Sequence, residues 1–385
     1  MPWKSTKVSE QRLQFVVQAS RKEGSLSRLC EEFGISRQTG QLWWKRFQKE
    51  GLSGVQEHSR RPRNSPSQVA REVVETVVAL RRERPDWGAQ KLHQQLRKQH
   101  PNLPAVSQST VHRILEREGL LEDGDRRRPA LERFERSRPN ELWQMDFKGP
   151  QGFNQGIGPL SILDDHSRYV ILLKQVGSTQ LQAVRGAMQE AFTQAGLPEV
   201  LLVDHGTPWW NGASLTGWTE LTVWIMRQGI RMAFSGFRHP QTQGKVERMH
   251  GALQRASSKR RRQFADQRWL DEFRHEYNHL RPHQALQMHT PASRWQPSAR
   301  RFQPDPPDWS YAAGIEPVRL SGQGQLSWSG QRWAISRALR NQLVGVQQIE
   351  HRVLVYFCTT VVREIDLHSG RSLALELRRS SVNPR

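Results

Sequence analysis

The sequence predicts a multidomain chain with all-α helix-turn-helix units at the N-terminal end, an α/β core built on one mixed sheet, and a small all-β module, barrel or sandwich, at the C-terminal end. Three observations predict it. Apolar residues recur at helical spacing up to about residue 120. From residue 142, short apolar runs punctuated by Gly and Pro give way to alternating helices and strands. Beyond the Pro-rich stretch Gln303–Asp308 only closely spaced short strands remain. The 385 residues fit two or three domains at roughly 150 residues each.

The first unit (1–57) reads as three helices. Leu13, Val16 and Val17 mark the first, Leu26, Leu29, Cys30 and Phe33 the second, and Arg37 to Phe47, with Trp43, Trp44 and Phe47, the third. Gly34-Ile35-Ser36 is a tight turn whose Ser sits as an N-cap. Helix, Gly-containing turn, helix is the helix-turn-helix layout, whose second helix presents its N-terminal residues to bases in the major groove. Arg37, Gln38, Gln41 and Lys45 are the readers on that view, and an ordinary helical hairpin is the plain alternative. Residues 58–67 form a basic linker. Its Arg60, Arg61 and Arg63 either follow a narrow minor groove or are simply solvated.

Residues 68–121 repeat the layout. Val73, Val74, Val77, Val78 and Leu80 mark one helix, Trp87-Gly88 a turn, and Leu92 and Leu96 a second helix. Ser107 caps a third helix whose apolar face is Val111, Ile114 and Leu115. Gln108, Ser109, His112 and Arg113 point outward from it as readers in a second, winged-helix-like unit. Residues 122–139, with Arg126-Arg127-Arg128, read as a tether.

In the core (140–300) the strands are Leu142–Phe147, Leu160–Asp164, Tyr169–Leu173, Val200–Val203 and Ile230–Phe234, and the helices are Gln180–Ala195, Leu215–Gln228 and Thr242 to about Arg262. The terminal module (315–370) carries strands at Gln325–Trp328, Arg332–Ile335, Leu343–Gln348, Val353–Phe357 and Val361–Ile365.

A net charge of +21 divides as +11 before residue 140, +6 over 140–300 and +4 beyond, which points to a polyanion such as double-stranded DNA. No apolar stretch suits a membrane span or a signal peptide, so the expected setting is cytoplasmic and nucleoid-associated, with no membrane partner. Cys30 and Cys358 are too far apart in sequence to suggest a disulfide framework or a Cys-rich zinc site.

Three acids stand at informative places. Asp146 lies in the first core strand, Asp204 follows Leu201-Leu202-Val203, and Glu247 opens a helix. An acid inside a buried strand is costly unless it is paired or metal-bound. Strand interior, strand end and helix start can converge at one sheet edge, and such carboxylates repel one another unless divalent ions hold them. Two ions suit phosphoryl transfer, one at the attacking oxygen and one at the leaving oxygen.

Trp143-x-x-Asp146, Leu163-Asp-Asp-His-Ser-Arg-Tyr169, Val203-Asp-His-Gly206, His239-Pro-Gln-Thr-Gln-Gly-Lys-Val-Glu-Arg248 and Tyr277-Asn-His-Leu-Arg-Pro-His283 occur in the order seen in DDE transposases of bacterial insertion sequences. The core of that family resembles retroviral integrase, and the helix-turn-helix pair and terminal β-module are similar to its layout. The resemblance implies a ribonuclease-H-like core using Mg2+ or Mn2+, two ions per active site, with Asp146, Asp204 and Glu247 as catalytic and metal-holding triad. It implies cleavage at the ends of a mobile element, joining of the freed 3′-hydroxyl to target DNA, and a homo-oligomer that holds both transposon ends in a synaptic complex. Two positions depart from the family pattern. His205 replaces the usual Asn after the second Asp, and Gln254 takes the place of a basic residue seven positions after the Glu. Arg255, Lys245 and Arg248 are then the candidate clamps on the DNA backbone.

Asp164-Asp165 suits a strand-end or turn role better than metal binding, and Pro282 interrupts the His275, His279, His283 spacing. Lys259-Arg-Arg-Arg262 is a solvated face or, beside a DNA-processing site, a phosphate track. Trp269, Phe273 and Tyr277 read as core. The alternative functions are a DNA-binding regulator with an inactive core and a ribonuclease-like hydrolase.

Overall fold

A computed structural model describes residues 8–21, 25–56, 69–121, 135–149, 156–212, 214, 217–235 and 243–374. The chain divides into two compact units, Met1–Gln68 and Val69–Arg385. Arg60, Arg61 and Arg63 lie outside the described residues. No described helix is long and apolar enough to cross a membrane.

The first unit contains α1 (Val8–Ser20), α2 (Leu26–Glu32) and α3 (Arg37–Glu50). Ser36 caps α3 as expected, its hydroxyl accepting the Thr39 N–H at 3.2 Å. Phe15, Val16, Cys30, Trp43 and Val55 are the buried core. Phe15 takes the inward place expected of Leu13, which is 40% exposed. Arg37, Gln38, Gln41 and Lys45 are all exposed on α3.

Gly40 marks where α3 meets α2 most closely. A Cβ there would lie 2.2 Å from the Cys30 Sγ and 3.0 Å from the Phe15 ring. Ala in a helix normally gains up to about 1 kcal/mol over Gly, but overpacking costs about 1–3 kcal/mol. Gly40→Ala is therefore expected to lower the melting temperature of this unit, read by thermal unfolding. An unchanged or raised midpoint would show that the contact relaxes freely.

The second unit begins with α4 (Arg71–Glu83), α5 (Ala89–Gln99) and α6 (Gln108–Arg117). Ser107 caps α6 through the Thr110 N–H at 3.1 Å. Trp87, expected only to mark a turn, is wholly buried at the centre of this three-helix core. Gln108, Ser109, His112 and Arg113 are exposed on α6. The last residues of the expected tether pack on the core that follows, with the Arg136 N–H donating to Asp165 Oδ2 at 2.9 Å.

The central sheet has the order β3-β2-β1-β4-β5, from β1 (Leu142–Phe147), β2 (Leu160–Asp164), β3 (Val170–Lys174), β4 (Val200–Val203) and β5 (Arg231–Phe234). β1, β2 and β3 form an antiparallel meander, while β4 and β5 add in parallel. The sheet is mixed, as expected. α7 (Leu181–Ala195) and α8 (Glu220–Arg227) pack in one apolar cluster with Trp143, Met145 and Ile162. α9 (Gly244–Arg260) and α10 (Gln267–His275) pack in another with Leu163, Val170 and Leu173, and it includes Trp269, Phe273 and Tyr277. Because strand side chains alternate, β1 turns Trp143 and Met145 to the first cluster and Gln144 and Asp146 toward α9.

β6 (Glu316–Arg319), β7 (Gln325–Trp328), β8 (Gln331–Ala334), β9 (Leu343–Ile349), β10 (Arg352–Phe357), β11 (Thr360–Asp366) and β12 (Arg371–Ala374) make the terminal module. The expected barrel is not what forms. The antiparallel sheet runs β12-β11-β10-β9-β6 and, among the described residues, no pairing joins β12 to β6, while β7 and β8 form a separate ribbon. The sheet packs its apolar face on the α/β core instead of curling on itself. Val344, Val353, Val355 and Phe357 belong to the same buried cluster as Trp218 and Leu221, and Arg340 pairs with Glu220 at 2.6 Å.

Candidate active site

Asp146 sits in β1 opposite Ser161 of β2. The parallel neighbour β4 ends at Val203, which places Asp204 just past its C-terminal end, and Glu247 stands exposed in the first turn of α9. The charges of these three acids act on one another. Burial first, then Asp204 and Glu247, push the Asp146 carboxyl up to about 7 against the pull of the Phe147 backbone and Lys148. Among the described residues no three His, Cys, Asp or Glu side chains already form a metal-holding group.

Asp204 is fixed by its own loop. Its Oδ1 accepts the Gly206 N–H at 3.0 Å and the Trp209 indole N–H at 2.7 Å. A Cβ on residue 206 would lie 3.0–3.1 Å from both carboxylate oxygens, so any larger residue after His205 presses on the Asp204 carboxylate. Gly206→Ala is expected to tilt the Asp204 carboxylate by a few tenths of an ångström. Loss of any phosphoryl-transfer activity by about tenfold or more, with an unchanged melting temperature, would follow; full activity in a folded variant would show that the carboxylate tolerates the shift.

A second group holds α9 to β1. The wholly buried Gln144 accepts the Val246 N–H at 3.2 Å and donates to Asp165 Oδ1 at 2.9 Å, while Lys245 pairs with Asp165 Oδ2. Lys245 therefore corrects one expectation. It is 8% exposed, with its ammonium engaged inside the protein rather than offered to a DNA backbone, and burial draws its pKa down to about 8 despite Asp165. Asp164 accepts the Ser167 N–H and hydroxyl and the Asn140 N–H. Both acids of the Asp164-Asp165 pair are thus taken up in turn and helix anchoring.

His250, three residues after Glu247, was missed by the sequence reading. Its Nε2 lies 2.9 Å from Ser161 Oγ and its Nδ1 lies 3.7 Å from Asp146 Oδ2, and burial, with Lys148, lowers its pKa to about 3. The available signal was periodicity, since positions three apart share a helix face.

Family models match both the helical front and the central sheet of this chain. A helix-turn-helix domain model covers residues 11–63 and a homeodomain-like domain model covers 39–115. Two integrase core domain models cover 136–240 and 228–291, which together span the central sheet, α9 and α10. The chain carries an integrase core domain preceded by helix-turn-helix domains. It is 24% identical over 259 residues to the uncharacterized 39.2 kDa protein of insertion element IS476 from Xanthomonas euvesicatoria, a match covering 63% of this chain and 69% of that one. Among solved structures it is similar to the HTLV-2 integrase catalytic core domain in complex with magnesium, at TM-score 0.33 and 16% identity over 41% of this chain and 97% of that one. It is also similar to the simian T-cell lymphotropic virus intasome in complex with PP2A regulatory subunit B56 gamma, at TM-score 0.37 and 14% identity over 72% and 91%.

In this integrase-core protein Arg248 is exposed beside Glu247. The Arg255 side chain runs back along α9, with its Nη1 3.6 Å from where a Cβ on Gly251 would stand. The run Lys259–Arg262 is not a uniform phosphate track, because Arg260 turns inward to Asp86 at 2.6 Å and Glu276 at 2.8 Å. His205 packs edge-on to Trp210 at 5.0 Å and beside Phe234 at 5.4 Å, an aromatic setting with no counterpart in the expected Asn. His283 is half-buried with its ring against Tyr277, while His275 and His279 are exposed with rings 4.8 Å apart, so the three do not share one environment.

Proposed function

We propose that this protein binds the terminal inverted repeats of a mobile element, cleaves at its ends and joins the freed 3′-hydroxyl to target DNA, with Asp146, Asp204 and Glu247 as the catalytic acids. The observation that carries the reading is the placing of Asp146, within an integrase core, where burial and the charges of Asp204 and Glu247 hold a proton on it up to about pH 7. Three carboxylates are hard oxygen donors, and a proton retained by burial first and by repulsion from Asp204 and Glu247 second is what a divalent cation would displace. The donor set therefore fits Mg2+ or Mn2+, two ions per site. When bound, they supply Lewis-acid stabilisation of charge on the attacking and leaving oxygens.

The chain's own residues do the rest. Trp209 and Gly206 keep Asp204 in one orientation, Gln144 and the Lys245–Asp165 pair hold the Glu247 helix in place, and Ser161 holds the His250 ring, which stands 3.7 Å from Asp146. Arg248 and Arg255 contact phosphates near the site. Arg37, Gln38, Gln41 and Lys45 on α3 and Gln108, Ser109, His112 and Arg113 on α6 read the repeat, helped by Arg60, Arg61 and Arg63. Because both ends of an element are processed together, the working form is a homo-oligomer on DNA.

The test supplies the full-length protein with labelled element ends, plasmid target and Mg2+. A joined product is expected. Binding without cleavage supports the regulator reading instead, and cleavage of RNA–DNA hybrids with no joined product supports the hydrolase reading.

A further inference from the structure

The turn between α4 and α5 and the far end of the Glu247 helix meet in a buried network of charges. Asp86, with its side chain wholly buried, receives Arg260 on Oδ1 and Arg281 on Oδ2, each at 2.6 Å. Glu276 receives Arg260 at 2.8 Å, Arg84 at 2.7 Å and the Trp87 indole N–H at 3.0 Å. Leu280, from the turn after α10, packs against the apolar core of α4, α5 and α6. Asp86 and the Trp87 indole find these partners only across the two halves, and a buried carboxylate stripped of its partners is expensive.

We infer that the second helix-turn-helix is a fixed part of the catalytic unit, with Asp86, Arg260 and Glu276 as positioning residues that set the distance between the duplex DNA read by α6 and the carboxylate trio. α9 carries Glu247 in its first turn and Arg260 in its last, about 20 Å apart at 1.5 Å per residue. From Arg260 the connection passes through Asp86 and Trp87 to the core on which Val111, Ile114 and Leu115 seat α6. The links run through the wholly buried Asp86 carboxylate and Trp87, with Arg260 half-shielded from solvent, so the offset belongs to the fold. Its consequence for chemistry, which rests on the transposase reading, is that cleavage falls a constant number of base pairs from the sequence α6 recognises.

The test has two arms on the full chain. In the first, spin labels on Glu116→Cys in α6 and Glu272→Cys in α10, both exposed positions, report a distance distribution by double electron–electron resonance in the absence of metal and DNA. One narrow peak is expected, broadened in Asp86→Asn and, where that variant folds poorly, in the milder Arg84→Gln. A broad distribution in the parent protein overturns the inference. In the second arm, base pairs are inserted between the recognised sequence and the element's end. The cut is expected to move with the recognised sequence, and a cut that stays at the end overturns the fixed offset. A narrow distance in a protein that cuts no DNA end supports the coupling and sinks the transposase reading, which keeps the two failures apart.

Discussion

Asp146→Asn is expected to abolish strand joining and at the same time to stabilise the metal-free protein at pH 8. Both effects come from one carboxyl. In the folded chain its pKa is about 7, against roughly 3.9 for an unperturbed Asp. Between these values the folded state holds a proton that the unfolded state has released, so stability of the metal-free protein falls as pH rises through the window from about 4 to 7. At 1.36 kcal/mol per unit the loss by pH 8 is on the order of 4 kcal/mol, for a side chain 24% exposed. Asn carries no charge to desolvate or repel, so the variant should melt higher than the parent at pH 8 and about equally at pH 4. Mg2+ should raise the melting temperature of the parent and leave the variant almost unmoved. A variant that melts no higher at pH 8 would show that Asp146 is not under the strain described.

Glu276→Ala carries the largest expected loss of stability. It leaves Arg84 and Arg260 short of their shared acceptor and the buried Trp87 indole N–H without its acceptor. Removing one member of a buried charge network costs about 3–5 kcal/mol, because the remaining charges stay desolvated and uncompensated. Neighbouring Asp86 shows how strongly the network favours the charged forms. Burial alone would raise its carboxyl, yet Arg281 and Arg260 outweigh it and hold the group below the usual carboxylate range. Its contribution is present at neutral pH and is lost as pH falls through that lowered value. Chemical denaturation of Glu276→Ala at pH 7 should show the drop with little dependence on added salt, since buried pairs are weakly screened. A loss under about 1 kcal/mol would mean that the network is hydrated and worth no more than surface pairs.

Local periodicity made most elements legible. Val73, Val77 and Leu80 repeat at helical spacing and are buried, and Trp143 and Met145 alternate into one apolar cluster while Gln144 and Asp146 do not. Ser36 and Ser107 announced their helices by capping chemistry that operates over three residues. Long-range partners were not legible. Arg260 looked like one more cation in a basic run because its acceptor Asp86 lies 174 residues earlier, and Lys245 looked like a DNA clamp because Asp165 lies 80 residues earlier. The β-module read as a barrel because strand spacing reports how many strands exist but not which surface they cover, and here they cover the core around Trp218. His250 stood three residues from Glu247, but the reason for its place is Ser161 on a strand that sequence does not pair with α9.

The most direct measurement compares Mg2+-dependent joining of a labelled element end by the parent protein and by Asp204→Asn, alongside their binding to the same DNA. Asn keeps an oxygen to accept the Gly206 and Trp209 donors, so the loop should hold and the DNA-binding units, distant in sequence, should be untouched. The account predicts that the variant binds the end as the parent does and yields no joined product. Joining that persists in Asp204→Asn would contradict the assigned site.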